Sequence, residues 1–270
     1  MLVQSLKSLL RDTWVERLAG RRLGRNEVHL DQPGDQNSRY DEQTVEVMRR
    51  TLRGDSSCVD IGAHKGKILQ HMLALAPGGI HHAFEALPHL ANRLKEQFPG
   101  VHVHQLAVSD RSGPSEFQYV ENAPAYSGLR RRVYDRPDPR ITTIQVATKT
   151  LDEVIPLGEA VAFVKLDIEG GEYHALRGAT NTIQRWRPVI VFEAGSKSTG
   201  QYGVTPDEVY SLITETFGYE LSTMSRWLDG APAYTRGEFR LNWENGPDYY
   251  FIATTTEAAE RSRVFGEKDD

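Results

Sequence analysis

The chain has 270 residues, with 32 lysines and arginines against 37 acidic residues and a net charge of −5 when its nine histidines are neutral. That mildly acidic balance supplies no global field for nucleic acid, so no nucleic-acid partner is expected. One cysteine, Cys58, excludes an internal disulfide framework, and no apolar run forms a signal-peptide core or reaches membrane-spanning length; the expectation is a cytoplasmic protein with one compact core and no membrane partner.

Between Leu2 and Leu23, the residues Leu2, Leu6, Leu9, Leu10, Trp14 and Leu18 recur at helical intervals among arginines, which predicts an amphipathic helix. Its apolar face needs a surface on its own domain or on a second copy, so a homo-oligomer through this helix is an expectation. Asp31 to Tyr40 is polar with Gly and Pro and reads as a connection, giving a leader over residues 1–39. Glu42 to Leu52 predicts the helix that leads into the first strand.

The run VDIGAHKG, Val59 to Gly66, reads as a buried strand entering a tight turn and then a helix. Gly62 lets the backbone approach a ligand, and Gly66 lets the helix pack on the strand. A dinucleotide fold would place its first glycine where Asp60 stands, because a pyrophosphate must nearly touch backbone amides at a helix N-terminus. Asp60 would repel a diphosphate and suits a ligand carrying an ammonium and a sulfonium. One strand further on, in HHAFEALP from His81 to Pro88, Glu85 ends an apolar run where a carboxylate can accept both hydroxyls of a ribose. Nicotinamide enzymes share that second feature, so it supports adenosine more than any one reaction.

Helix Lys65 to Ala76, strand His82 to Glu85, helix Leu90 to Phe98 and strand Val101 to Val108 continue a βα repeat. Ser115 to Val120 and Ile141 to Thr148 alternate in strand fashion and predict an inserted hairpin or edge pair. Between them, Asn122 to Arg140 carries Arg130, Arg131, Arg132, Arg136 and Arg140 with Tyr126 and Tyr134, and reads either as a lid or as a solvated basic loop. Strand Val161 to Leu166, helix Glu172 to Ile183, strand Val189 to Phe192 and helix Pro206 to Phe217 follow. Thr205 and Glu208 form a capping box at the last of these. Strands Tyr219 to Ser222 and Tyr249 to Ala253 close the sheet. The excursion at 223–247 between them holds Trp227, Tyr234, Phe239 and Trp243, either as a substrate-side surface or as packing of an added hairpin.

In VKLDIEGGE, Lys165 and Asp167 are two apart and share one side of a strand, with Asp167 at the carboxyl end, across the cleft from Gly62. Asp167 is expected to hold the methionine end of the cofactor or the incoming nucleophile. PVIVFE ends in Glu193 at the same edge. Two such carboxylates can share a proton, orient a substrate hydroxyl, or hold Mg²⁺ with water, which makes Asp167 and Glu193 the candidate metal ligands. Glu169 is open between a catalytic and a structural role, Glu172 reads as an ordinary first-turn acid, and His174 as a surface histidine. No G-x-S-x-G, H-E-x-x-H or P-loop is present, which removes hydrolase, zinc-protease and nucleotidase readings.

The order VDIGAHKG, AFEALP, LAVSD (Leu106 to Asp110), TKTLDEVI (Thr148 to Ile155), VKLDIEGGE and PVIVFE resembles the FkbM family of S-adenosylmethionine-dependent methyltransferases over roughly Tyr40 to Ala253. The resemblance implies an α/β, Rossmann-like class I methyltransferase sheet of seven strands, the last antiparallel, with helices on both faces. A methyltransferase domain is then expected at 40–256 with a polar tail at 257–270. S-adenosyl-L-methionine is expected at Asp60, Gly62, Ala63, His64, Gly66, Glu85, Ala86, Val108 and Asp167, and catalysis at Asp167, Glu193 and Glu169. Ala86 departs from the proline of many members, and His64 stands where asparagine is frequent. The implied reaction is O-methylation of a hydroxyl on a small secondary metabolite such as a polyketide or glycoside; N- or carboxyl-methylation, or an adenosine-binding module without turnover, are the alternatives.

Overall fold

The computed structural model describes residues 36–132, 134 and 138–258. The predicted helix at Leu2 to Leu23, Arg136 of the basic excursion and most of the polar tail lie outside those residues. The chain divides into the units Met1–Ser38 and Arg39–Asp270, the second of which carries both sheets.

After helix α1 (Gln36–Thr51), strands β1 (Cys58–Ile61) and β2 (His81–Phe84) alternate with helices α2 (Lys67–Leu75) and α3 (Pro88–Gln97) and lead to β3 (His102–His104). Next come β4 (Ala107–Val108), β5 (Gly113–Val120), β6 (Ile141–Lys149), α4 (Leu151–Val154), β7 (Phe163–Leu166), α5 (Glu172–Arg177), α6 (Thr180–Trp186) and β8 (Val189–Glu193). The described chain finishes with α7 (Pro206–Ser211), β9 (Glu220–Thr223), α8 (Met224–Leu228), α9 (Arg236–Asn245) and β10 (Tyr250–Thr254). One sheet of seven strands runs β3-β2-β1-β7-β8-β10-β9, with β10 antiparallel to both neighbours and the other pairings parallel. All residues of β1, β2 and β7 are buried, as strands covered on both faces require. Their register sets Ile61 beside Phe84 and Leu166, and Leu166 beside Phe192. The carboxyl ends of β1, β2, β7 and β8 therefore share one edge.

Four predicted elements differ in detail. Helix α1 begins at Gln36, inside the stretch expected as a connection up to Tyr40. The strand expected over Val101 to Val108 is two: β3 extends the main sheet, whereas β4 pairs with β6 in a three-stranded sheet, β4-β6-β5. The His104 carbonyl accepts the Glu85 amide at 3.0 Å as the main ladder ends, and Val108 turns into the core at 1% exposure. The helix expected over Glu172 to Ile183 breaks at Gly178, where a Cβ would lie 2.1 Å from the Ser109 carbonyl oxygen. Asp152 then caps α6, accepting from the Asn181 and Thr182 amides at 2.9 and 2.8 Å. The helix from Pro206 has the expected Thr205–Glu208 capping box but changes to a π-type turn at Leu212–Thr216.

The aromatic excursion forms helices α8 and α9 rather than a hairpin, and its aromatic residues pack into the core. Phe239 is fully buried, Trp227 and Trp243 nearly so, and Tyr234 packs against the same core under Arg226. The buried His82 is explained by its partners: its ring nitrogens lie 2.9 Å from His104 Nε2 and 2.6 Å from Glu159 Oε1.

Both motif glycines meet the chain itself. Gly62 has φ +81°, and a Cβ there would lie 1.9 Å from the Asp167 carbonyl oxygen. Gly66 has φ +76° and abuts the Phe98 ring, 2.5 Å from where its Cβ would be, so it fits α2 against the end of α3. Gly62→Ala combines a left-handed backbone with a clash against fixed main chain and should cost at least about 2 kcal/mol in denaturant unfolding. Gly54→Ala, with nothing within 4 Å of the added methyl, should stay within about 0.5 kcal/mol. Equal effects would contradict the close β1–β7 loop contact.

Candidate active site

Asp60 lies within β1, Lys165 opposite it in β7, and Asp167 just past the end of β7. Lys165 is 7% exposed. Its Nζ sits 3.4 Å from Asp167 Oδ2 and 3.7 Å from Asp60 Oδ1, and donates to the Gly62 carbonyl at 3.2 Å. Burial pulls the Lys165 ammonium pKa down, yet Asp167 and Asp60 outweigh it and hold the lysine charged above its ordinary range. Burial raises the Asp60 carboxyl against the pull of Lys165, and its Oδ1 has no hydrogen-bond partner. Burial also opposes ionisation of Asp167, but Lys165 and a hydrogen bond from Tyr250 Oη at 2.5 Å prevail, and Asp167 lies below the usual carboxylate range. Tyr250 is in turn stacked on Tyr40, ring centroids 4.9 Å apart.

The amides of the β1 turn are used internally. Gly62 and Ala63 both donate to the Phe84 carbonyl, at 2.9 and 3.0 Å, and Gly66 donates to the Ala63 carbonyl at 2.7 Å. His64, at φ 49°, donates its amide to Glu85 Oε2 at 2.9 Å, while Glu85 Oε1 accepts from the Leu87 amide at 2.9 Å. Glu85 is buried at 7% exposure, which raises its carboxyl against these two hydrogen bonds. Burial, with Lys65 and Lys165 nearby, pushes the His64 ring down to about 4, so it is neutral at physiological pH.

The loop after β7 gathers acids. Asp167, Glu169 and Glu193 each present a carboxylate oxygen, all within 4.8 Å of one another, a spacing a cation could bridge. Arg132, from the basic excursion, pairs with Glu169 Oε2 and lies over the Tyr126 ring, 5.1 Å from its centroid. Burial, aided by mutual repulsion among the acids and opposed by Arg132, raises Glu169 and Glu193 well above the usual range. Glu169 sits at φ 61° and Gly170 at φ 106°, a left-handed turn that costs a residue with a Cβ about 1–2 kcal/mol. Glu172 holds this turn: it is 1% exposed, and its Oε1 accepts from the Ile168 and Gly170 amides at 2.9 and 3.2 Å. Its position in the first turn of α5 fits the expected structural role, but it is a buried brace rather than a solvated acid.

The sequence-predicted residues thus divide. Asp60, Gly62, His64, Glu85 and Asp167 surround the ends of β1, β2 and β7, and Glu193 and Glu169 join Asp167. Gly62 is not across a cleft from Asp167 but against it, because β1 and β7 are neighbours. Ala63 is buried in the core, Ala86 packs beside Leu87 and Leu90, and Val108 belongs to the other sheet. Lys165, Tyr250 and Arg132 carry contacts that sequence reasoning did not assign. The same-side spacing of Lys165 and Asp167 was a usable signal; nothing local marks Tyr250, whose place opposite Glu193 comes from the β8–β10 register.

A sheet of this order, with its penultimate position filled by an antiparallel strand and acids at the carboxyl edge, is a class I methyltransferase fold. The chain belongs to the FkbM methyltransferase family: the Methyltransferase FkbM domain matches residues 60–221. A solved FkbM methyltransferase from Methylobacillus flagellatus KT is 16% identical, with a TM-score of 0.47 over 75% of this chain and 44% of that one. This chain therefore spans less than half the length of that protein. A precorrin-6y C5,15-methyltransferase from Geobacter metallireducens GS-15 is 16% identical, TM-score 0.41, over 81% and 88% of the two chains. A SAM dependent methyltransferase from Aquifex aeolicus is 12% identical, TM-score 0.39, over 81% and 92%. No curated protein matches the chain. Among the described residues no helix is long and apolar enough to cross a membrane.

The buried brace makes a pH prediction. Burial raises the Glu172 carboxyl from 4.5 to about 7. Between those values the folded chain holds a proton that the unfolded chain has released, so this contribution is full below the unfolded value and is lost as pH rises through about 7. Stability measured by urea unfolding should therefore fall less steeply over that window in Glu172→Gln than in the wild type. An identical slope in the two proteins would contradict the assignment.

Proposed function

We propose that this chain transfers a methyl group from S-adenosylmethionine to a hydroxyl of a small acceptor, a secondary metabolite of the polyketide or glycoside kind. Family membership supports the reaction class. The observation that carries the acceptor chemistry is the convergence of Asp167, Glu169 and Glu193 within 4.8 Å, beside the β1 turn.

The residues fit the cofactor. Because the amides of Gly62, Ala63 and His64 are already engaged by Phe84 and Glu85, the turn offers no amide cradle of the kind a diphosphate needs. It offers negative charge instead. Each Glu85 oxygen accepts one backbone hydrogen bond, which leaves acceptor capacity for ribose hydroxyls. Asp60, buried with its Oδ1 3.7 Å from the Lys165 ammonium, and Asp167 supply negative charge toward the ammonium end. When bound, S-adenosylmethionine supplies a methyl group already activated on its sulfonium, so alignment and proton removal are what remain for the protein.

Asp167, kept ionised by Lys165 and Tyr250, orients the acceptor hydroxyl. Glu193, whose raised carboxyl has the greater proton affinity, takes its proton. Arg132 holds Glu169 and places a cation in the acid cluster, so transfer proceeds without Mg²⁺. Since a base must be ionised to work, the rate should rise with pH above the usual carboxylate range.

Calorimetry with S-adenosylhomocysteine and NAD in parallel tests the cofactor: the former should bind and the latter should not, and Glu85→Ala should weaken binding roughly ten- to a hundredfold. Binding of NAD alone would replace the methyl-transfer reading with a redox one. With a hydroxylated acceptor found by screening, Asp167→Asn and Glu193→Gln should each lower kcat by roughly 10², and chelator should leave turnover unchanged. Near-normal turnover in both variants, or a chelator loss restored by Mg²⁺, would overturn these roles.

A further inference from the structure

A cavity of about 250 Å³ opens on the far side of the Glu169–Gly171 turn, between the segment from Ser109 to Ser115 and the start of α5. Arg111 and Arg130 stand in its wall with His174, Tyr202 and Gly171. Its one acid, Asp110, is engaged by Arg177 at 3.4 Å. Neither Arg111 nor Arg130 has a carboxylate partner among the described residues. Among the described residues, Arg130 hydrogen-bonds Tyr202 through its backbone amide and guanidinium and lies 5.3 Å over the ring. On a chain of net charge −5, this is a local excess of positive charge in a concave site, where arginine forks suit oxyanions.

Two further polar residues, Ser109 and His174, line the cavity. The Ser109 hydroxyl, on a residue 7% exposed, makes no hydrogen bond among the described residues and is a donor in reserve. His174 Nδ1 is buried without a partner, and burial, together with Arg130, Arg177 and Arg111 and against Asp110, keeps its ring neutral. A neutral ring retains one N–H to donate. The volume is below the roughly 300 Å³ at which drug-sized ligands begin, so the cavity takes the end of a molecule rather than the whole. It is one side chain from the proposed chemistry: the position of a Cβ on Gly170 is 2.6 Å from the Tyr202 ring, and that of a Cβ on Gly128 is 3.3 Å from both Tyr202 Oη and Glu169 Cβ.

We propose that this cavity binds an oxyanionic end of the acceptor, a phosphate, sulfate or carboxylate, and that Arg111 and Arg130 select acceptors carrying one. The assignment of the anion to the acceptor rests on the methyl-transfer reading. The test is titration of the full chain with inorganic phosphate, followed by the His174 ring resonances in NMR, with S-adenosylhomocysteine affinity measured alongside. Phosphate should saturate the shift, and Arg111→Gln and Arg130→Gln should each weaken it roughly tenfold. Arg111 is exposed and makes no ion pair among the described residues, so its variant keeps the fold even if Arg130→Gln disturbs Tyr202. Ribose 5-phosphate should bind at least about tenfold tighter than phosphate if the site receives the end of a larger molecule. Equal affinities would assign the site to a free anion and overturn the acceptor role. No saturable shift, undiminished binding in Arg111→Gln, or displacement of phosphate by S-adenosylhomocysteine would overturn the cavity. Failure of S-adenosylhomocysteine to bind would sink the methyl-transfer reading while leaving the phosphate titration readable.

Discussion

A lysine with 7% of its surface exposed, set between two carboxylates, is the constraint on which the rest of the site depends. Removing one partner of a buried ionic group leaves an uncompensated charge at a cost of several kcal/mol, so Lys165, Asp60 and Asp167 must remain together. Because they stand on adjacent strands, their association fixes the end of β1 against the end of β7. The Gly62 carbonyl, which also accepts from Lys165, is drawn into the same arrangement. The turns after β1 and β7 are therefore one object, and a side chain at position 62 would collide with the Asp167 carbonyl.

The second turn also carries a residue with a Cβ in the left-handed region. Glu169 takes a left-handed conformation and Gly170 follows it, with Glu172 pinned beneath both by backbone amides. That geometry brings Glu169 to Glu193 and Asp167, whose mutual repulsion is relieved by the guanidinium of Arg132 and the ammonium of Lys165, while burial raises the proton affinity of Glu169 and Glu193. An edge built this way separates its acids by proton affinity. Asp167 is anchored in the ionised form while Glu193 is poised to hold a proton, and such a division suits a reaction whose nucleophile must lose one.

The parallel core was legible because the runs ending in Ile61, Phe84, Leu166 and Glu193 are apolar and punctuated by Gly or an acid, and alternation with helices leaves few topologies. The convergence of Asp167 and Glu193 followed from that topology alone. The break at Gly178 was not legible, since it depends on the backbone of Ser109, a residue remote in sequence. Aromatic residues at 223–247 gave no sign of which face they would cover, and burial resolved them as core. Tyr250 and Arg132 reach the acids through an antiparallel register and an excursion between β5 and β6, contacts with no local periodicity to announce them. Sequence spacing showed that Lys165 and Asp167 share a side; it could not show that Asp60 turns to the same lysine.

A crystal structure of the chain with S-adenosylhomocysteine tests the account most directly. The ribose hydroxyls are expected within hydrogen-bond distance of the Glu85 carboxylate and the amino end of the ligand at the Asp60–Asp167 edge, with the Lys165 contacts unchanged. A ligand bound with its ribose away from Glu85, or one that separates Lys165 from Asp167, would contradict it.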